Sequence, residues 1–334
     1  MKKFLSVLLT VTMLVGLCAC GGTNQQESTS ASAEETETEA TTNEVTSTDV
    51  DNTVVDSNAA AVTETAGSES VSADLGDYHL TIISAEQFKD DNEKDSIRFY
   101  YDFTNNSDEE VSFYFACDTV AYQEGYELVA TSAYFDKAAE ADNCYHDILP
   151  GVTIRCITEY NFQPAGGEIE FTITDGDSDE SVTMTFDPKA LQGRPAEDYT
   201  IEPCSSEALV KDCPSEGVYS ENYYISITKC EVVDGFSDGE KAIRIYFDFT
   251  NNSGEATSFW AKANTLAMQD GIGLESTLAN ESVPEDDNGI VDVQPGETLT
   301  VATCYLLHDT GSPVAIRVLD YWTGSKIGTT FEVK

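Results

Sequence analysis

The chain has 334 residues, with 61 acidic against 17 basic side chains and a formal net charge of −44. So acidic a balance repels nucleic acid and bare anionic membrane and excludes both as direct binding surfaces. Solubility accounts for most of the acidity, and charge alone names no ligand.

Met1-Lys2-Lys3 supplies a positive start, and Phe4 to Leu17 is an uncharged apolar run, too short to span a bilayer comfortably. Leu17-Cys18-Ala19-Cys20-Gly21-Gly22 then resembles the lipobox of bacterial lipoproteins, with an aliphatic residue at −3 and a small one at −1. Cys18 at −2 departs mildly from that pattern. The resemblance implies a signal peptide over 1–19 and a diacylglyceryl group on the Cys20 thiol. The mature chain would then hang from the extracellular face of the cell membrane, the membrane being its partner through that lipid. An ordinary secretory signal is the alternative.

Residues 20–73 are rich in Ser, Thr, Ala and Glu, with no Lys or Arg between Lys3 and Lys89 and no aromatic between Phe4 and Tyr78. Such a segment buries too little apolar surface to order itself. It is expected to be a disordered acidic tether with a root-mean-square reach of about 40 Å. A binding tail is the weaker reading.

Beyond it the sequence repeats. Ile97-Arg98-Phe99-Tyr100-Tyr101-Asp102-Phe103-Thr104-Asn105-Asn106-Ser107 returns as Ile243-Arg244-Ile245-Tyr246-Phe247-Asp248-Phe249-Thr250-Asn251-Asn252-Ser253 at an offset of 146. Gln123-Glu124-Gly125 and Gln269-Asp270-Gly271 keep that offset, whereas Tyr78 to Ile82 and Pro150-Gly151 match their counterparts at 145. One-residue drifts between fixed strands are the mark of a duplicated domain. In each copy the matched run alternates, Ile97, Phe99, Tyr101 and Phe103 facing one way and Arg98, Tyr100, Asp102 and Thr104 the other. This predicts an antiparallel strand with a core face and a half-exposed face, followed by an Asn-Asn-Ser turn. Further strands are expected over 167–174, 182–186, 299–307 and 314–322, and no long stretch has helical period. The fold class is therefore all-β: two tandem sandwiches, a barrel being the second choice. Expected boundaries are 74–190 for the first copy, 191–218 for a linker and 219–334 for the second copy.

The linker carries Pro195, Pro203 and Pro214 with Cys204 and Cys213. A Cys204–Cys213 bridge and two unlinked thiols fit the spacing equally well. Seven cysteines follow Cys20, an odd number, so at least one thiol stays unpaired within a monomer.

The duplicated strand ending Asp-Phe-Thr-Asn-Asn-Ser, with a later Pro-Gly before a hydrophobic strand, resembles a family of uncharacterised extracellular domains of Gram-positive lipoproteins. The resemblance covers nearly all of residues 75 to 334. It implies an immunoglobulin-like fold for each copy and carries no catalytic residues.

Signatures of catalysis are sparse. His79, His146 and His308 have no histidine counterparts in the other copy, and the nucleophile elbow, phosphate loop and His-Glu-x-x-His patterns are absent. Asp175-Gly176-Asp177-Ser178-Asp179 alternates carboxylates like a calcium loop, but Phe186 stands where the closing Glu belongs, so an acidic turn is favoured. No metal, cofactor or catalytic residue is assigned. Tyr114, Phe115, Tyr122, Tyr134, Trp260 and Trp322 are candidates for stacking on a sugar or anchoring a protein, against filling the core. The leading expectation is a non-enzymatic binding module for an extracellular protein or glycan, two copies adding avidity. A structural envelope spacer and an extracellular hydrolase are the alternatives.

Overall fold

A computed structural model describes residues 61–64 (backbone only), 70–134, 137–195, 204–320 and 323–333. Cys20, the signal segment and Trp322 lie outside these residues, as does most of the expected tether. Residues Ser57–Lys334 form one compact unit. Among the described residues no helix is long and apolar enough to cross a membrane.

The first copy runs through β1 (Ala61–Glu64), β2 (Val71–Leu75), β3 (Tyr78–Lys89), β4 (Asp95–Asn105), helix α1 (Phe113–Ala116) and β5 (Cys117–Gln123). It continues with β6 (Tyr126–Glu127), β7 (Val129–Thr131), β8 (Thr153–Asn161), β9 (Ile169–Asp175) and β10 (Ser181–Phe186). One sheet has the order β2-β3-β4-β8-β7 and the other β1-β10-β9-β5-β6. The second copy repeats the course as β11 (Glu216–Tyr219), β12 (Tyr223–Asp234), β13 (Lys241–Asn251), β14 (Asn264–Gln269), β15 (Ile272–Gly273) and β16 (Ser276–Thr277). Helix α2 (Pro284–Asp287), β17 (Thr298–Leu306), β18 (Val314–Leu319) and β19 (Lys326–Phe331) complete it. Its sheets are β11-β12-β13-β17-β16 and β15-β14-β18-β19. The chain is thus two tandem β-sandwiches, and even the register shift of β3 on β4 after Ile82 recurs in β12 on β13 after Ile227. The sequence offset changes from 145 to 146 at the hairpin loop that follows, residues 90–94 in the first copy and 235–240 in the second.

Alternation places the core as expected on one face: Ile97, Phe99, Tyr101 and Phe103 are fully buried, as are Ile243, Ile245, Phe247 and Phe249. Phe99 stacks on Phe171 of the opposite sheet at 4.2 Å between centroids, closing the sandwich. The opposite face departs from expectation. Arg98, Tyr100, Arg244 and Tyr246 were expected half-exposed and are buried. Loops cover that face, and the charge is matched inside. Arg98 donates to Glu86 and Glu159 at 2.8 and 2.6 Å, and the Tyr100 hydroxyl donates to Glu86 at 2.5 Å. Arg244 donates to Glu231 and to Asp286 of α2, with the Tyr246 hydroxyl on Glu231. Period-2 alternation shows which side chains share a face but cannot show what later loops lay over it.

The Asn that ends each matched strand is a fastener. Asn105 is fully buried, donates from Nδ2 to the carbonyls of Glu109 and Ile148, and accepts from the Ser107 amide and hydroxyl. Asn251 does the same with Glu255, Val293 and Ser253. Gln123 and Gln269 likewise each donate from Nε2 to two carbonyls, Gln163 and Gly167 in one copy, Asp309 and Ser312 in the other. The repeated motifs therefore hold loops rather than bind ligand.

Two boundaries move. The first sandwich begins before residue 74: β1 pairs in parallel with β10, and β2 buries Val71, Ala73 and Leu75 against β3. The end of the expected tether is thus sheet, its small aliphatic alternation hidden among Ser and Thr. Described parts of the expected linker also join the fold. Gly193 donates its amide to Ala85, the 3-10 helix Ser206–Val210 buries Leu209, and β11 pairs with β12 from Glu216 onward.

Cys204 and Cys213 are both free thiols. They flank the Ser206–Val210 helix and face different neighbours: Cys204 lies against Gly271 of the β14–β15 turn, and Cys213 against Gly328 of β19. The helix between them holds the two thiols on separate contacts, in keeping with the unlinked alternative of the two that the spacing left open.

Candidate functional site

Two surface features could meet a ligand. The first is an apolar ridge built the same way in each copy. Phe113 and Phe259 are buried and anchor a short helical turn. The next residue, Tyr114 in one copy and Trp260 in the other, is therefore carried outward. Each meets a 3-10 segment arriving from the following loop, Asn143–Tyr145 or Asn288–Ile290. Asn143 and Asn288 fix those segments identically, donating to the carbonyls of Arg155 and Thr300 at 2.7 Å.

In the first copy Tyr114 packs on Phe115 and on Tyr145, with centroids 5.3 and 5.1 Å apart. Tyr114, Phe115 and Tyr145 are 58%, 81% and 59% exposed. In the second, the Trp260 amide donates to the Gly289 carbonyl at 3.0 Å, and a Cβ on Gly289 would come within 2.4 Å of the indole. Only glycine lets the ring lie so close to that backbone. Trp260, Ile290 and Val291 form this ridge, at 54%, 70% and 45% exposure. Large apolar side chains exposed together at corresponding places in the two copies are candidates for a contact surface. Tyr114, Phe115 and Trp260 were singled out from the sequence. Tyr145, Ile290 and Val291 were missed, because only the fold brings their segment beside the aromatic turn. Tyr134 is exposed elsewhere, while Tyr122 lies on β5 and is less exposed.

The second feature lies where the two sandwiches join. Ile148 bridges to Ile272 of β15, the Leu149 amide donates to Gly271, and the Gly273 amide donates to the Asp147 carbonyl at 2.7 Å. A segment of the first copy thus extends the edge of the second copy's sheet. Met268, Ile272, Ala315 and Leu209 join the first copy's core, and Arg317 of β18 reaches Glu110. The junction is continuous core rather than a hinge. At its rim is a cavity of about 250 Å³ lined by Asp142, Tyr145, His146, Asp147, Leu266, Gly273, Leu274 and Glu275. His146 stacks with His308 of the second copy, centroids 6.2 Å apart. Burial lowers the proton affinity of both imidazoles; Glu275, the Gly273 backbone and Asp142 pull His146 partly back, while His146 itself depresses His308. Burial raises Asp147. The histidines, unmatched in the repeat, thus meet across it, a pairing no sequence spacing could reveal.

The remaining candidates are structural. His79 pairs with exposed Asp74 on the adjacent strand. Asp175 is buried and accepts from the Asp177 amide and the Ser178 hydroxyl of its own turn. Asp320 holds the matching turn of the second copy through Thr323. Among the described residues no group of three His, Cys, Asp or Glu could hold a metal ion. Burial pushes the Cys117 thiol up to about 12 and the Cys144 thiol up to about 11, which keeps both protonated and poor nucleophiles.

No curated protein matches the sequence. Among solved structures, one described as "a putative lipoprotein" from Staphylococcus aureus is 11% identical over 35% of this chain and 92% of that one, with a TM-score of 0.30. An uncharacterised β-sandwich protein from Clostridium difficile is 16% identical over 41% of this chain and 99% of that one, TM-score 0.29. An exo-chitosanase from Amycolatopsis orientalis is 14% identical over 74% of this chain and 26% of that one, TM-score 0.20. Likenesses this distant carry no argument about activity. The family model is decisive: "Domain of unknown function (DUF5067)" matches residues 54–175 and again 206–320, more than half of the sequence, so the chain belongs to that family in two tandem copies.

Proposed function

We propose that this chain is a non-enzymatic binding module displayed at the outer face of the cell membrane, held there by a lipid on Cys20. The observation that carries the binding role is the repetition of one exposed apolar ridge, Tyr114, Phe115 and Tyr145 in the first sandwich and Trp260, Ile290 and Val291 in the second. A duplicated surface on one rigid pair favours an extended or repetitive partner, an envelope protein or glycan, through avidity. The shared core fixes the two ridges relative to each other, so the pair engages such a target without the ordering cost of a flexible linker. Buried, protonated thiols are poor nucleophiles, which favours binding over cysteine-based hydrolysis.

The test is retention of the full chain on purified envelope polysaccharide and on envelope proteins, wild type against Phe115→Ser with Trp260→Ser. Saturable retention lost in the variant supports the reading; turnover of a glycan or peptide substrate overturns it. Cys20→Ala tests the anchor separately, through loss of the acyl mass and release from membranes.

A further inference from the structure

The junction inside the chain is a heterologous contact: a segment of the first copy lies on a sheet edge of the second, and the two surfaces differ. Because both surfaces belong to a repeated fold, each has a counterpart on the other copy. The segment 147–149 corresponds to 292–294 at an offset of 145, and the edge 271–273 corresponds to 125–127 at 146. The junction uses neither counterpart, so one half of the same joint is left over on each copy.

The free edge is built like the covered one. β5 and β6 make the same hairpin as β14 and β15, the Leu128 amide donating to the Ala121 carbonyl as Leu274 does to Ala267, both at 2.8 Å. Glu124 and Gly125 take the same left-handed turn as Asp270 and Gly271. Among the described residues β6 pairs only with β5, which leaves its outer side bare. Tyr126 is 78% exposed, whereas its counterpart Ile272 is 2% exposed beside Ile148. A Cβ on Gly125 would meet nothing within 4 Å, while one on Gly271 would meet Val152 at 2.8 Å. A bare sheet edge carrying a large exposed ring is a template for another chain.

The free segment is equally preformed. Val293 bridges to Thr257 and its carbonyl accepts from Asn251, as Ile148 bridges to Val111 and accepts from Asn105. In the first copy that hold leaves the Asp147 carbonyl and the Leu149 amide to bond the neighbouring edge. Asp292 and Gln294 are their exposed counterparts.

We propose that the occupant of the β6 edge is a second copy of this chain, which lays its 292–294 segment there so that molecules join head to tail. Val293 then lies opposite Tyr126, the Glu127 amide donates to the Asp292 carbonyl, and the Gln294 amide donates to the Gly125 carbonyl. The contact uses different surfaces on the two molecules, so it extends beyond a dimer. The outer joint is weaker than the inner one. Gln294 and Glu297 stand where Leu149 and Val152 are, and Thr172 and Ala256 replace the Arg317–Glu110 pair. Glu127 replaces Gly273, whose Cβ would come within 3.2 Å of the Asp147 carbonyl oxygen, so the incoming segment must give slightly there. Glu124, Glu127 and Glu297 bring like charges to the joint, and salt that screens them strengthens it. None of this rests on the ridge reading.

The experiment is sedimentation velocity of the full chain over a wide concentration range at low and high salt. A concentration-dependent series extending beyond the dimer is expected, with affinity at least tenfold higher at high salt. Glu127→Pro removes the amide of the edge and Gln294→Pro that of the segment, the counterparts of the two amides that cross the inner junction. Each variant alone should stay monomeric. An equal mixture should form a heterodimer and grow no further, since one variant keeps the segment and the other the edge; that heterodimer also shows both to be folded. Wild type that is monomeric throughout, growth that stops at a dimer, undiminished association of either variant, or a mixture that stays monomeric overturns the proposal. Phe115→Ser with Trp260→Ser should leave association unchanged. Its loss there would assign the contact to the ridges and overturn the proposal, so failure here and failure of the ridge reading are told apart.

Discussion

Replacing Asn105 by Ala removes four hydrogen bonds at once, at 2.8 Å to Glu109, 2.9 Å to Ile148, and 2.9 and 2.7 Å from the Ser107 amide and hydroxyl. Each is worth about 0.5–1.5 kcal/mol net, more where a buried partner is left unsatisfied. Ser107 lies near solvent and can rebond to water. The Ile148 carbonyl still accepts from Val111 at 3.2 Å. Those compensations bring the expected loss to about 2–4 kcal/mol. Because the sandwiches share core, a single cooperative transition is expected, and Tm should fall by about 5–12 °C in calorimetry. Asn251→Ala should cost as much, since its four bonds are the same. Only the first should speed hydrogen exchange at Leu149 and Gly273, because only Asn105 steadies Ile148, which pairs across the junction with Ile272. A loss below about 0.5 kcal/mol for either variant, the floor for even one such bond, would refute the fastener reasoning.

Alkylation of the denatured chain should count the same number of thiols with and without prior reduction, since Cys204 and Cys213 are unlinked; two fewer without reduction would contradict this. Junction stability should depend on pH through His146 and His308, which burial holds below the ordinary 6.5. The unfolded chain then binds protons first on acidification, so stability is complete above about 7 and falls as pH drops through and below 6.5. Thermal unfolding at pH 7.5 and 5.5 for wild type and His146→Phe with His308→Phe checks this, the variant showing the shallower dependence despite the neighbouring Glu275, Asp142, Asp270 and Asp309. Arg98→Met should cost about 3–5 kcal/mol in urea unfolding by leaving Glu159 buried without its cation. Arg98→Met with Glu159→Met should recover part of it.

The sandwich was legible in the sequence because duplication supplies an internal alignment. Where Ile97 to Ser107 and Ile243 to Ser253 agree, strand and turn are both specified, and the same comparison could have marked Asn105 and Gln123 as structural. Alternation correctly sorted the Phe99 and Phe247 faces inward. It failed for Arg98 and Tyr100 because burial there comes from loops that share no period with the strand. The start of the first sandwich was hidden for another reason: β2 offers only three apolar positions, Val71, Ala73 and Leu75, and so short an alternation disappears in a Ser/Thr background. Function was less legible still. The repeat led to discounting any residue present in one copy only, yet His146 and His308 come together because the copies pack asymmetrically, a first-copy loop on the second copy's sheet edge. The ridge was half visible, its aromatics at Tyr114 and Trp260 but not its partners, since Tyr145 and Ile290 are about thirty residues further on.

The central claim is that the duplicated ridge is the contact surface. Its most direct measurement is the affinity of the full chain for immobilised cell-envelope material, with wild type compared to Phe115→Ser, to Trp260→Ser and to both together. Each single change should weaken saturable binding, and the pair should weaken it at least tenfold with Tm unchanged, as expected of two sites acting in concert. Undiminished binding by the double variant would contradict the account.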